Sequence, residues 1–291
     1  MQPGMRVTPE TLRIHIQVLK KYFDIVDLND WVHRNKTNQA LPNKAVAITF
    51  DDGWVDNYEF AFPILKSENV PATIFLVSSM IGFRKQFWPE RVASIIEALK
   101  NNNGVEVLPE YVHWFEAHGV DVKSLESLGE KKQEKLITDL KKFPDEEICE
   151  RLKVFETLEA KIQQGALSQM LNYEQLKEMK ASSLISFGAH TRHHYRLDKV
   201  TSSSTLEDEI VNCKQDLESS LGMTVNGFCY PNGDFDDKSI SLVRATYEYA
   251  CTTRKGWNTQ VLDRCLMNRI LLHEDVSSDR ISFEAKISGL L

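Results

Sequence analysis

The sequence has little cysteine: five residues in 291, and none of them (Cys149, Cys213, Cys229, Cys251, Cys265) stands in a CxxC spacing. An odd, scattered set argues against a disulfide framework and a zinc–thiolate site, and reads as buried thiols in a reducing compartment. Positive charge is not in excess either. A net charge of −7 and the lack of any Lys/Arg block exclude bulk attraction to nucleic acid or anionic membranes. No apolar run approaches the roughly 18–20 residues that a membrane-spanning helix needs. The opening "MQPGMRVTPE" has no apolar stretch of the signal-peptide kind, so the expected location is cytoplasmic. There is no convincing repeat and no low-complexity segment. What remains, 42% hydrophobic and 26% charged, is the composition of a globular protein with a substantial core.

Six short apolar runs are present: 45–50, 71–77, 184–188, 226–230, 249–253 and 268–272. They lack polar alternation, the pattern of parallel strands covered on both faces. Between most of them lie helical stretches. Residues 8–23 have Thr8 as a cap, Pro9 in the first turn and Leu12, Ile16, Leu19 and Phe23 on one face. Further helices are predicted over 57–68, 205–222 (ending at Gly222), 238–247 and 279–291. Alternating strands and helices predict an α/β fold with a parallel sheet, open or closed into a barrel. From about 85 to 180 the rhythm breaks into mixed-charge amphipathic helices, read as an insertion within a single domain spanning 1–291.

Several clusters carry chemistry. "AITFDDGW" (47–54) ends an apolar strand on two adjacent carboxylates, Asp51 and Asp52. Neighbours on a continuing strand face opposite ways. If the strand ends at Phe50 and Gly53 lets the chain bend, both converge at the C-terminal end of the sheet, where parallel α/β folds build their sites. Taken alone, "DDG" is an ordinary turn. "FGAHTRHHY" (187–195) follows another strand and holds His190, His193 and His194. Two imidazoles and a carboxylate make a metal-ligand set, and the alternative is a polar loop with capping histidines. "FCYPNGDF" (228–235) is a turn whose backbone N–H groups can point into a pocket, though most such turns are only turns. His273, beyond the last strand, is either a general acid or a structural residue.

Together these residues resemble the polysaccharide deacetylase family, the NodB homology domain of carbohydrate esterase family 4. Its TFDDG motif stands as Thr49-Phe50-Asp51-Asp52-Gly53, and its H-[S/T]-x-x-H motif as His190-Thr191-Arg192-His193-His194. The flanking segments are similar to the branch that deacetylates poly-N-acetylglucosamine. The resemblance covers about 8–80 and 174–285. It implies a distorted (β/α) barrel of about seven parallel strands, with another strand before the first helix that this chain begins too late to include. It also implies a divalent metal, usually Zn2+ with Co2+ or Ni2+ as alternatives, on Asp52, His190 and His194. Asp51 matches the general base. The oxyanion donor falls on the backbone of Asn232, with Tyr230 and Pro231 shaping the wall. Cys229 occupies the place of an arginine that orients the base, leaving Arg269 or Arg254 to substitute. The family's Asp-Trp motif is not recognisable, and His273 matches the catalytic histidine only loosely.

The expected activity is hydrolytic N-deacetylation of an acetamido sugar or its polymer, with release of acetate. Two alternatives stand beside it: a non-catalytic carbohydrate-binding protein on the same fold, and a related hydrolase of a non-sugar amide. Retention of both Asp51 and Asp52 argues against pure binding, which has no use for a base beside a metal ligand.

Overall fold

The structure is a computed structural model describing residues 6–83, 86–101, 107–121, 129–163, 169–259 and 263–289. Parts of the expected insertion and the last two residues of the expected C-terminal helix lie outside the described residues.

Each of the six apolar runs contributes a strand to one parallel sheet. The run 45–50 divides. Ala45–Val46 (β2) pairs in parallel with Asp24–Ile25 (β1) as a separate two-stranded sheet, and Thr49–Phe50 (β3) opens the main one. The main sheet continues through Ala72–Leu76 (β4), Ile185–Ala189 (β5), Gly227–Cys229 (β6), Tyr249–Lys255 (β7) and Met267–Arg269 (β8), neighbours following chain order. It curls into a half-barrel flanked by helices, with six strands in the arc and the β1–β2 pair outside it.

Burial on both faces explains the missing alternation. Ile74, Leu76, Phe187, Phe228 and Ala250 meet the flanking helices through Leu65, Ile210, Leu217 and Val243. Their neighbours Phe75, Cys229, Tyr249, Cys251 and Met267 point the other way, into the barrel. Each fully buried large side chain contributes about 1.5–3 kcal/mol. The interior is capped by a helix the sequence reading did not anticipate, Leu28–Lys36, whose Leu28 and Val32 join the inner cluster. Asp27 caps this helix by accepting from the Asp30 N–H (2.9 Å). Asp27 also accepts from the Ser186 hydroxyl, and Asn29 Oδ1 accepts from the Tyr249 hydroxyl (2.9 Å). Both partners sit at the starts of their strands, so this helix closes the end opposite the strand C-termini.

The predicted helix over 8–23 is Pro9–Tyr22, with the Thr8 hydroxyl accepting from the Thr11 N–H (3.2 Å). The stretch 205–222 is more irregular than expected. Helix Ser203–Glu207 passes through a π-helical turn, Asp208–Asn212, into helix Cys213–Leu221, which ends at left-handed Gly222.

The chain divides into two compact units, 1–83 with 169–291, and 84–168. Helix Tyr173–Ala181, read from sequence as part of the insertion, belongs to the first unit. The second is helical, with a core around Phe115, Leu140, Ile148, Leu152 and Phe155. Within it, Arg91 forms a two-pronged pair with Glu159 (2.6 and 2.8 Å). Among the described residues no helix is long and apolar enough to cross a membrane.

Candidate active site

β3 stops at Phe50 because the backbone then leaves the extended region. Asp52 and Gly53 are both left-handed (φ 73° and 82°), and the Gly53 N–H donates to the Asp51 carbonyl at 2.9 Å. The bend therefore starts one residue earlier than expected, on Asp52 itself. A left-handed residue other than glycine costs roughly 1–2 kcal/mol, so the turn is held from outside. Leu171 N–H donates to Gly53 O (2.9 Å), and Val55 N–H donates to Gln169 O (2.7 Å). Gly53 has no substitute here: a Cβ would meet Leu76 Cδ2 at 2.8 Å.

At the end of β5 the His190 N–H donates to Leu76 O (2.8 Å), prolonging the ladder by one residue. Thr191 and His194 then take left-handed conformations (φ 61° and 64°), and the Thr191 hydroxyl accepts from the His194 N–H (2.9 Å). The fold brings both rings to the carboxylate of Asp52. Its Oδ1 lies 3.3 Å from Nε2 of His190 and 3.3 Å from Nε2 of His194. Its Oδ2 accepts from the Trp54 indole N–H (2.9 Å).

The character of these atoms tests whether a metal fits. His190 Nδ1 is 2.7 Å from the Cys229 carbonyl, which can only accept, so that nitrogen carries a hydrogen and Nε2 is the ring nitrogen available to a metal. Asp52 Oδ1 is buried and, among the described residues, has no hydrogen-bond partner. The Nε2 atoms of His190 and His194 and this oxygen lie close enough together for one cation to be held by all three. Two imidazole nitrogens and a carboxylate oxygen suit zinc and similar divalent ions, and the Cys229 carbonyl supplies the outer hydrogen bond that such a histidine ligand usually has. The residues fit the metal.

Asp51 is turned to a different partner. Arg269, on β8, donates from Nη1 to Oδ1 (2.8 Å) and from Nη2 to Oδ2 (2.7 Å), while its Nε donates to the Thr252 carbonyl (2.8 Å). The Cys229 thiol, which burial pushes well up and keeps protonated, donates to Asp51 Oδ2 at 3.6 Å. Burial alone would raise the Asp51 pKa, but the guanidinium more than reverses this and holds the carboxyl below its ordinary value. Of the two arginines named from sequence, Arg269 is the one that pairs with Asp51. Arg254 stacks over Phe235 at 4.9 Å.

The other expected residues are less uniform. Tyr230 is fully buried, its hydroxyl donating to the Cys265 carbonyl (3.2 Å), so its ring packs in the core and does not line a pocket wall. Pro231 is buried, and Asn232 is exposed and left-handed (φ 55°), its carbonyl accepting from the Thr253 hydroxyl (3.1 Å). Gly233 (φ 78°) closes this turn at a point where a Cβ would meet Thr253 Oγ1 at 1.9 Å. Among the described residues no hydrogen bond joins His273 to the carboxylates or to the histidine pair. Ile270 and Leu272 both pack against Val18, Leu19 and Phe283, and His273 is itself extended (φ −135°, ψ 156°). His273 thus lies four residues beyond the last residue of β8, at the N-terminus of the short helix Glu274–Ser277. His273 Nδ1 is buried and has no partner among the described residues.

The family model for polysaccharide deacetylases matches residues 38–157 and 150–250. The chain belongs to the polysaccharide deacetylase family. Two curated relatives align in part: YxkH of Bacillus subtilis, 32% identical over 40% of this chain, and the poly-beta-1,6-N-acetyl-D-glucosamine N-deacetylase of Staphylococcus epidermidis, 35% identical over 26% of it. The matches span 42% and 26% of those relatives' own lengths. Two solved structures share the fold. Streptococcus pyogenes deacetylase PplD in complex with acetate has a TM-score of 0.60 at 18% identity, over 94% of this chain and 85% of that one. IcaB from Ammonifex degensii has a TM-score of 0.61 at 18% identity, over 96% and 89%.

The site also contains residues that sequence reading passed over. Trp54 fixes the orientation of the Asp52 carboxylate, and the Thr191 hydroxyl fixes that of the His194 backbone. Their places inside or beside the two quoted motifs were the available signal.

Proposed function

We propose that this chain hydrolyses the acetamido group of an N-acetylated amino sugar within a polysaccharide, releasing acetate and leaving the free amine. The observation that carries this reading is the division between adjacent carboxylates: Asp52 faces two imidazoles with an unpartnered oxygen, and Asp51 is held by Arg269. Similarity to the Staphylococcus epidermidis enzyme supports N-acetylglucosamine as the sugar.

Asp52, His190 and His194 would hold the metal. When bound, a divalent ion there supplies Lewis acidity, lowering the pKa of water and polarising the amide carbonyl. Asp51 takes a proton from the attacking water on a carboxylate lone pair that the arginine leaves open. Arg269 keeps the plane of that carboxylate fixed, so proton transfer has one direction. The Asn232 N–H is assigned the developing oxyanion. Water's oxygen joins the acyl carbon as the C–N bond breaks, and His273 is assigned to give a proton to the departing nitrogen. The proton held by Asp51 then passes through solvent to His273, restoring both groups.

The direct test is acetate release from β-1,6- and β-1,4-linked N-acetylglucosamine oligomers, with and without a chelator and after zinc is restored. Release that persists unchanged in chelator would overturn the metal assignment, and no release from any oligomer would overturn the activity. Arg269→Lys replaces the two-pronged hold with a single point charge and is expected to lower kcat about 10–100-fold with bound metal unchanged. His273→Ala is expected to lower kcat by about 10²-fold or more. An unchanged rate removes His273 from the proton path.

A further inference from the structure

Glu209 is a fully buried carboxylate that the mechanism above does not use. Burying a carboxylate is costly unless it is well hydrogen-bonded, and its two oxygens are both committed to one residue. Oε2 accepts from the His193 backbone N–H (2.9 Å), and Oε1 lies 2.5 Å from His193 Nδ1. The Glu209 carbonyl accepts from the Arg192 N–H (3.2 Å).

These contacts fall on the segment that joins the two histidines facing Asp52. The rest of that segment is tied down by backbone groups and by its own threonine. Ser78 N–H donates to Thr191 O (3.3 Å), Ser79 N–H donates to Arg192 O (3.0 Å), and Thr191 Oγ1 accepts from the His194 N–H. His193 is the residue whose N–H goes to a side chain from a distant helix. It is bonded directly to His194, which takes a strained left-handed conformation.

The helix is built for this contact. Glu209 sits in the π-helical turn Asp208–Asn212, and neighbours in a regular α-helix point about 100° apart. Here Asp208 and Glu209 both reach the same loop: Asp208 accepts from the Arg192 guanidinium, which also pairs with Asp216 (3.0 Å), while Glu209 takes His193. A π turn inside a helix is frequently found at a functional site.

We infer that Glu209 is a positioning residue: through the His193 backbone it holds His194 in the left-handed conformation that aims its Nε2 at Asp52. This rests on the reading of Asp52, His190 and His194 as metal ligands. The test is a zinc titration of metal-stripped protein against a competing chelator, with thermal melting of the metal-free protein alongside. Glu209→Ala is expected to bind zinc about 10–100-fold more weakly. Glu209→Gln, whose amide oxygen still accepts from the His193 N–H, should stay within about threefold of the parent. Should the alanine variant fail to fold, Glu209→Asp takes its place, since it withdraws the carboxylate by one methylene. It is expected to lose at least about fivefold in affinity. A variant that melts earlier without metal but binds zinc as tightly as the parent would show a purely structural role and overturn the proposal. His194→Ala is the control. If it also binds zinc normally, the ligand assignment fails; if it loses zinc while Glu209→Ala and Glu209→Asp do not, only the positioning role fails.

Discussion

Asp51→Asn is expected to lower kcat for acetate release by about 10²–10⁴-fold, the span attributable to one general base, while bound zinc stays at the parental stoichiometry. The separation follows from the geometry. Asp51 gives both oxygens to Arg269 and none to the histidine pair, so losing its charge removes a proton acceptor without touching the ligand set. Asparagine keeps the shape and one accepting oxygen, but its amide nitrogen turns a donor toward the guanidinium. Some loosening of Arg269 therefore accompanies the loss of the base. Steady-state kinetics with metal analysis of the same sample decides the matter. A fully active Asp51→Asn protein would sink the proposed division between the carboxylates.

Asp52→Ala is the complementary case. Zinc affinity is expected to fall by at least about 100-fold, the upper end of what even an outer hydrogen-bond partner costs, and acetate release should fall with it. The variant removes the oxygen on which both Nε2 atoms converge, and it leaves the Trp54 indole without its acceptor. His190→Ala should behave alike through loss of a buried ligand. Zinc titration of the metal-stripped variants is the measurement, and parental affinity in Asp52→Ala would refute the ligand assignment.

Much of this site was readable in the one-dimensional text because its main residues stand beside strand ends. An apolar run that stops at Asp51-Asp52, and another that stops before His190, locate four side chains at one end of a parallel sheet before any coordinate is known. The same logic identified all six strands, since a strand covered on both faces announces itself by composition. What escaped depended on partners distant in the chain. Nothing in the neighbourhood of Arg269 distinguishes it from Arg254; the choice is made by the register of the last two strands, which sets Lys255 opposite Arg269. The family resemblance implies a pocket-wall role for Tyr230, but its ring follows the outer face of the sheet into the core. Glu209 looked like one charge among many on a helix, and only the π turn gives it its direction. The helix Leu28–Lys36 was too short for a periodic signal, though its Asp27 cap and the Leu28, Val32 pair were there to be weighed.

The Asp51–Arg269 pair has a consequence for folding. These residues are 218 positions apart and sit just beyond the first strand and on the last strand of the arc. A contact between elements so distant in sequence carries a large loop-closure cost and tends to form late. The chain can thus assemble β3, β4 and β5, and with them the convergence of His190, His194 and Asp52, before the base has its counter-charge. On the proposed mechanism, proton-transfer competence arrives only when β8 docks. As β8 is the terminal strand of its sheet, local fraying there would, on the proposed mechanism, stop proton transfer while leaving Asp52, His190 and His194 together, a silent form able to keep a metal.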